Sequence, residues 1–244
     1  MIRLLILGGT GEAAALARHL ADRPNLHVIS SLAGRVAAPV LPPGAVRIGG
    51  FGGVEGLAAY LAAEGIDAVV DATHPFAARM SFHAAEACKR LGVPLLAFVR
   101  PAWAPEPGDR WLPVADMAAA AALCRGRVFL TVGRQELAPF APSDAWFLIR
   151  AIDPPDGPLP AHHQLMLKRG PFTLADEIAL LRDHQIDLLV SKNSGGPATH
   201  AKIAAARARG LPVVMVERPA RPATEQASSL DAVAGWLGRL PHTP

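Results

Sequence analysis

Short apolar runs, each closed by glycine, proline or a small polar residue, recur along the whole chain. The first is Leu4-Leu5-Ile6-Leu7, followed at once by Gly8-Gly9-Thr10-Gly11-Glu12 and then by an alanine-rich stretch of helical period. Further runs at 27–31, 46–48, 68–71 and 95–98 predict strands, and the patterns at 54–63 and 77–90 predict the helices between them. A proline-rich stretch at 100–108 breaks the alternation. It resumes with predicted strands at 128–131, 146–149, 164–167, 188–190 and 213–216. Predicted helices follow at 173–182, 198–209 and 229–240, the first with Thr173 as N-cap. Strands alternating with helices imply parallel sheets covered on both faces. The expected fold is α/β, two Rossmann-like domains with mainly parallel sheets and a cleft between them. The expected limits are 1–100 for a dinucleotide-binding domain, 101–109 for a linker and 110–244 for a second, substrate-binding domain.

The first turn has the spacing of a dinucleotide phosphate site. Gly9, Gly11 and Ala14 occupy the small-residue positions of G-x-G-x-x-G/A, between a strand and a helix. Gly9 allows the tight turn, Gly11 lets backbone approach a pyrophosphate, and Ala14 lets the helix pack on its strand. Helix-start N–H groups and the helix dipole then face the anion. Gly9, Thr10, Gly11 and Glu12 are therefore cofactor candidates; the competing reading is a turn that only packs a strand on a helix. The second strand ends in Ser30-Ser31-Leu32-Ala33-Gly34-Arg35, with no acid to hold a ribose 2′-hydroxyl. Ser31 and Arg35 suit a 2′-phosphate, so NADPH is expected over NADH. A solvated loop arginine is the alternative for Arg35.

Ligands of such sheets lie beyond the carboxyl ends of the strands, and polar clusters fall there repeatedly. Asp71-Ala72-Thr73-His74-Pro75-Phe76 places Thr73 as a cofactor candidate and His74 as a proton donor or carboxylate ligand. A structural histidine shaping the turn is the competing reading. Ser191-Lys192-Asn193-Ser194-Gly195-Gly196 precedes the helix carrying Lys202 and reads as an anion site, or else as a glycine-rich cap with solvated lysines. Lys192, Asn193, Ser194, Gly195 and Lys202 are substrate candidates, joined by Arg134 after the strand at 128–131. His74, Lys192 and Ser194 are the candidates for catalysis.

Composition narrows the class. The chain has 244 residues, is 51% hydrophobic and carries a formal net charge of +3. That balance suggests no nucleic-acid partner. The short, interrupted apolar runs suggest no membrane span and no signal peptide. Cys88 and Cys124 are far apart and lack metal-ligand spacing, so reduced thiols, no metal and a cytoplasmic protein are expected.

Several motifs, in order along most of the chain, resemble the precorrin-6A reductases of cobalamin biosynthesis. They are Ile6 to Ala13, Ser31 to Arg35, Gly49-Gly50-Phe51-Gly52-Gly53, Asp71 to Ala77, Thr131 to Arg134, Gly170 to Thr173, Lys192 to Gly196 and Val216 to Pro219. The chain has Asn193 and Pro197 where members often carry Asp and Gly. The resemblance implies NADPH-dependent reduction of a carbon–carbon double bond in the precorrin-6A macrocycle, giving precorrin-6B. The implied partner is a tetrapyrrole rich in carboxylates, with the protein a monomer or small homo-oligomer. The one tyrosine, Tyr60, is followed four residues on by Glu64, so the Tyr-Lys pair of short-chain dehydrogenases is missing. Two other readings remain: another NADP-dependent imine reductase, suggested by His162-His163, and a non-enzymatic NADP-sensing Rossmann protein.

Overall fold

A computed structural model describes residues 1–34 and 39–240. The chain forms two compact units. One comprises Met1–Pro101 with the segment from Pro219 onward, and the other is Ala102–Arg218.

In the first unit, β1 (Ile2–Leu7), β2 (Leu26–Leu32), β3 (Ala45–Ile48), β4 (Ala68–Asp71) and β5 (Leu95–Phe98) are joined by a late strand, β12 (Glu225–Ala227). All pair in parallel, in the order β12-β5-β4-β1-β2-β3. This is the 3-2-1-4-5-6 order of doubly wound dinucleotide-binding sheets. β1 is apolar at every position from Leu4 to Leu7 because both of its faces are covered. Leu4 and Ile6 pack with Leu16 and Leu20 of α1 (Gly11–Leu20) and Trp236 and Leu237 of α7 (Leu230–Gly238). Leu5 and Leu7 pack with Leu57 and Leu61 of α2 (Val54–Ala63) and Ala84 and Cys88 of α3 (Ala78–Leu91). Full burial of one such leucine is worth about 1.5–3 kcal/mol, so this two-faced strand is the centre of the unit.

The second unit repeats the strand order with different parts. Its strands are β6 (Arg110–Val114), β7 (Arg127–Leu130), β8 (Trp146–Ala151), β9 (His163–Leu167), β10 (Leu188–Lys192) and β11 (Pro212–Val216). They pair in parallel as β6-β11-β10-β7-β8-β9. β7 takes the place of β1, β10 that of β4, and β6 is the sixth strand. Helices α5 (Leu174–Asp183) and α6 (Ala201–Ala208) cover one face, with Leu181, Ile203 and Ala206 against Phe129, Leu189 and Met215. A short α4 (Met117–Ala122) is capped by Asp116, whose carboxylate accepts the Ala119 N–H.

Two sequence expectations about chain organisation change. The C-terminal segment lies with the first unit, because β12 completes its sheet and the Val99 N–H donates to the Ala227 carbonyl. The stretch expected to be a linker is fastened within the second unit. Arg207 grips both carboxylate oxygens of Asp109, at 2.9 and 3.2 Å, and donates to Glu106 at 2.7 Å. The helix expected from 198 begins at Ala201. Both cysteines are free and buried, and burial pushes each thiol up to about 12. No helix among the described residues is long and apolar enough to cross a membrane.

Candidate functional site

In the first sheet the strand order reverses between β1 and β4, so their carboxyl ends form the place where a ligand enters such a fold. The turn after β1 is built for close approach. Gly9 has φ +100°, and a Cβ built on Gly9 or Gly11 would meet no heavy atom within 4 Å. Thr10 is the N-cap of α1. Its hydroxyl accepts the Ala13 N–H at 3.1 Å and donates to the Ala72 carbonyl at 2.9 Å. Such a cap is worth about 1 kcal/mol, and here it also ties the glycine turn to the end of β4. The N–H groups of Gly11 and Glu12 open the first turn, where a helix has no internal acceptor for them.

The close helix–strand contact falls on a different pair from the one expected. A Cβ on Gly8 would sit 3.4 Å from the Ala13 Cβ. Ala13 is buried and Ala14 only partly so. The small residues needed for packing are thus Gly8 and Ala13, because the helix turns Ala13 toward the sheet. Glu12 pairs with Arg100 at 2.6 Å. Its negative charge, which would repel a phosphate at a helix N-terminus, is neutralised there. Thr10, Glu12, Thr73, Pro75, Phe98 and Arg100 line one small pocket.

Asp71 ends β4 and is nearly fully buried. Its Oδ1 accepts both the Thr73 N–H, at 3.1 Å, and the Thr73 hydroxyl, at 2.6 Å. Its Oδ2 pairs with Arg221 at 2.6 Å. Thr73 has therefore spent its proton, and its oxygen remains an acceptor. The Nδ1 of His74 accepts the Phe76 N–H at 3.2 Å. In the neutral ring this leaves the proton on Nε2.

Ser31 lies buried near the end of β2. Its carbonyl accepts the Gly8 N–H at 2.9 Å, and its hydroxyl accepts from Arg47 at 2.9 Å. Arg35 lies outside the described residues. Arg47 went unnoticed in the sequence because only the β2–β3 register brings it opposite Ser31. Its nearest signal was the glycine run that begins two residues later.

The second sheet reverses between β7 and β10. Lys192, at the end of β10, pairs with Glu136 at 3.3 Å and reaches over the turn after β7, about 4.0 Å from where a Gly133 Cβ would stand. The Ser194 N–H donates to the Lys192 carbonyl at 2.7 Å, and Gly195 is buried with φ +68°. The structure thus brings Lys192, Asn193, Ser194 and Gly195 together at one strand end. The Asn193 amide is engaged by backbone. Its Oδ1 accepts the Trp103 N–H at 2.9 Å, and its Nδ2 donates to the Trp103 carbonyl at 3.1 Å. Arg218 donates to the Asn193 and Ser194 carbonyls at 2.9 and 3.0 Å, and the Trp103 indole donates to the Gly196 carbonyl at 2.9 Å. Trp103 was not marked out by the sequence, and Arg218 stood there only within the Val216 to Pro219 motif with no role assigned, since each acts on a loop remote from it in the chain.

Two other candidates stand apart from this loop. Arg134 pairs with Asp156 at 3.0 Å and donates to the Pro154 carbonyl at 3.2 Å. Lys202 is buried and donates to the Thr131 hydroxyl at 2.9 Å. Burial and the charge of Arg150 lower its pKa from near 10.5 to about 7; Glu177 opposes the fall and Lys192 adds to it. Arg150 and Glu177 form an ion pair buried beside it. His163 opens β9, with Nδ1 2.7 Å from the Pro160 carbonyl oxygen. That is the amino end of the sheet, the opposite end from Lys192, which removes the geometric support for an imine-reductase site at His162-His163.

Two doubly wound parallel sheets, the first with a glycine turn at its switch point, define a doubly wound α/β class. The family model described as Precorrin-6x reductase CbiJ/CobK matches residues 3–238, and the chain belongs to that family. A precorrin-6A reductase of Rhodococcus erythropolis is 56% identical over 245 residues, covering 98% of this chain and 99% of the relative. That of Mycobacterium tuberculosis is 53% identical over 246 residues, covering 99% of each. A solved CobK precorrin-6A reductase superposes with a TM-score of 0.93 at 48% identity, covering 100% of this chain and 99% of the other.

Proposed function

We propose that the protein reduces a carbon–carbon double bond of precorrin-6A to give precorrin-6B in cobalamin biosynthesis, with NADPH as reductant. The observation that carries this reading is identity above one half, over nearly the whole length, to a protein named for that activity.

The residues at the first switch point fit the cofactor. The bare approach at Gly9 and Gly11 admits a pyrophosphate, and the α1 amides supply donors for it. Thr10 holds that turn in shape, Arg100 keeps Glu12 from repelling the anion, and the Thr73 oxygen offers an acceptor. Ser31 and Arg35 hold the 2′-phosphate. NADPH supplies the hydride that one carbon of the double bond receives. The other carbon needs a proton, and His74 Nε2 is the group of this chain at β4 able to deliver one or to fix a substrate carboxylate. We favour positioning for His74, because its Nδ1 is already committed to the backbone of the turn. In the second unit, Lys192, with the Ser194 hydroxyl and the Gly195 backbone, binds tetrapyrrole carboxylates, and Arg134 adds charge. Asn193 shapes that loop through Trp103, and Lys202 acts from beneath it through Thr131.

The test is anaerobic incubation of precorrin-6A with the protein and each nicotinamide cofactor, followed by absorbance and mass. Gain of two hydrogens with NADPH is expected; no spectral change with either cofactor would refute the reading. Arg35→Ala is expected to weaken NADPH binding ten- to a hundredfold, about 1.5–3 kcal/mol, and to leave NADH binding nearly unchanged. Equal loss for both cofactors would remove Arg35 from the 2′-phosphate site.

A further inference from the structure

Arg47 sits at a position where a fixed positive charge has a chemical use. It pairs in register with Ser31, one residue before the end of β2, so it stands at the carboxyl edge of the two outer strands. Its side chain is held from several directions. One terminal nitrogen donates to Ser31 Oγ at 2.9 Å and to the Gly49 carbonyl at 3.0 Å, and the other donates to the Gly50 carbonyl at 3.2 Å. The guanidinium carbon lies 3.8 Å from the Phe51 ring centroid and 5.0 Å from that of Tyr60, and the two rings meet edge-on at 5.2 Å. Stacking and three hydrogen bonds hold the long side chain in one geometry, so little rotamer entropy is left to lose on binding.

We infer that Arg47, acting with Ser31, is a specificity-determining residue for the 2′-phosphate of the cofactor. The inference rests on the NADPH reading above. Its first support is the missing acid: where NAD-binding sheets present a carboxylate to a ribose diol, this chain presents a hydroxyl and a guanidinium. The second is the direction of the Ser31 hydroxyl. Its oxygen accepts from Arg47, so its single proton is directed elsewhere, as an anion requires. The third is capacity. A guanidinium has five N–H donors, and the three bonds above leave donors and the whole charge for a phosphate. The glycine run 49–53, which no other part of the proposed reaction uses, supplies the carbonyls that aim the guanidinium. Gly49, Gly52 and Gly53 have φ of +125°, +81° and +98°, and a Cβ on any of them would meet nothing within 4 Å. The loop is thus open around these three positions.

The experiment is calorimetric titration with adenosine 2′,5′-bisphosphate and with ADP, for the wild type, Arg47→Gln, Arg47→Lys and Ser31→Ala. Wild type is expected to prefer the 2′,5′-bisphosphate. Arg47→Gln should lose ten- to a hundredfold in affinity for it while ADP binding stays within twofold. Arg47→Lys keeps the charge and should recover part of the loss, even where the glutamine variant folds poorly. Ser31→Ala should show a smaller loss, again confined to the 2′,5′-bisphosphate. Equal losses for both nucleotides would overturn the inference and leave Arg47 as a prop for the glycine loop. An unchanged 2′-phosphate preference in Arg47→Gln would overturn it too. A wild type that binds both nucleotides alike would bring down the NADPH reading itself, and this inference with it.

Discussion

The two units share a strand order and differ in what stands at the point where that order reverses. In the first, β1 runs through bare glycines into a ten-residue helix, with backbone donors at the front. In the second, β7 runs into the Gly133 turn and only a single short 3-10 turn at Ala138–Phe140, with no α-helix before β8. The positive charge there comes from a side chain instead, that of Lys192 beside the turn. Backbone amides suit a phosphate group that is the same in every turnover. Long cationic side chains suit carboxylates spread around a large ring. On the proposed reading one topology serves two kinds of anion recognition, and the structural difference lies in the segment after β1 in one unit and after β7 in the other.

The sharpest way to break that comparison is to fill both turns. Gly9→Val places a branched side chain where φ is +100° and closes the approach to α1. A loss of at least a hundredfold in NADPH affinity is expected, about 2.7 kcal/mol or more. Gly133→Val, at φ +90°, should leave NADPH affinity within a few fold and act on the tetrapyrrole. NADPH titration of both variants decides, and equal losses would erase the division of labour. Next in size, Lys192→Ala is expected to raise the tetrapyrrole KM ten- to a hundredfold with little change in the NADPH Kd. A weakened NADPH Kd in this variant would move Lys192 to the cofactor.

A smaller effect is expected at His74. If it positions a carboxylate, His74→Ala should lower kcat by less than tenfold and act mainly on KM. A hundredfold fall in kcat at unchanged KM, with the acid limb of the pH profile lost, would make it the proton donor.

The effect expected at Lys202 is on stability and leaves both binding affinities aside. Its pKa in the folded protein, about 7, lies below that of the unfolded chain. Between these values the unfolded chain holds the extra proton, so stability should rise as pH rises from about 7. The full cost is present below that. The slope is at most about 1.4 kcal/mol per pH unit. Denaturant midpoints across this range should show the rise in wild type and lose it in Lys202→Met. An unchanged slope in the variant would assign the titration to another group.

The regions most readable in the sequence are those whose structure is local. The apolar runs of β1, β4, β7 and β10 are buried on both faces, and a polar turn closes each one, so the strands and the turns that end them were both visible. Two of the four edge strands, β6 and β12, were not. β6 carries Pro113 and is largely exposed, and β12 is only Glu225-Gln226-Ala227, so neither has the apolar signature of a central strand. Side-chain roles failed where the partner is distant. Asn193 looked like part of an anion loop, and its amide instead holds the Trp103 backbone. Lys202 looked like a second cation on that loop, but its place on α6 turns it into the interior. Arg47 needed the strand register to be seen at all.

The late return of the chain to the first sheet has a consequence for biosynthesis on the ribosome. β12, α7 and Arg221, the ion-pair partner of Asp71, are encoded after the whole of the second unit. The nascent N-terminal half therefore emerges with β5 as a raw edge and a buried carboxylate without its counter-charge. It must wait through the translation of residues 102–218 before either is satisfied. A premature stop just past Arg218 would spare every residue of the second unit, and the damage would fall on the unit that begins at Met1.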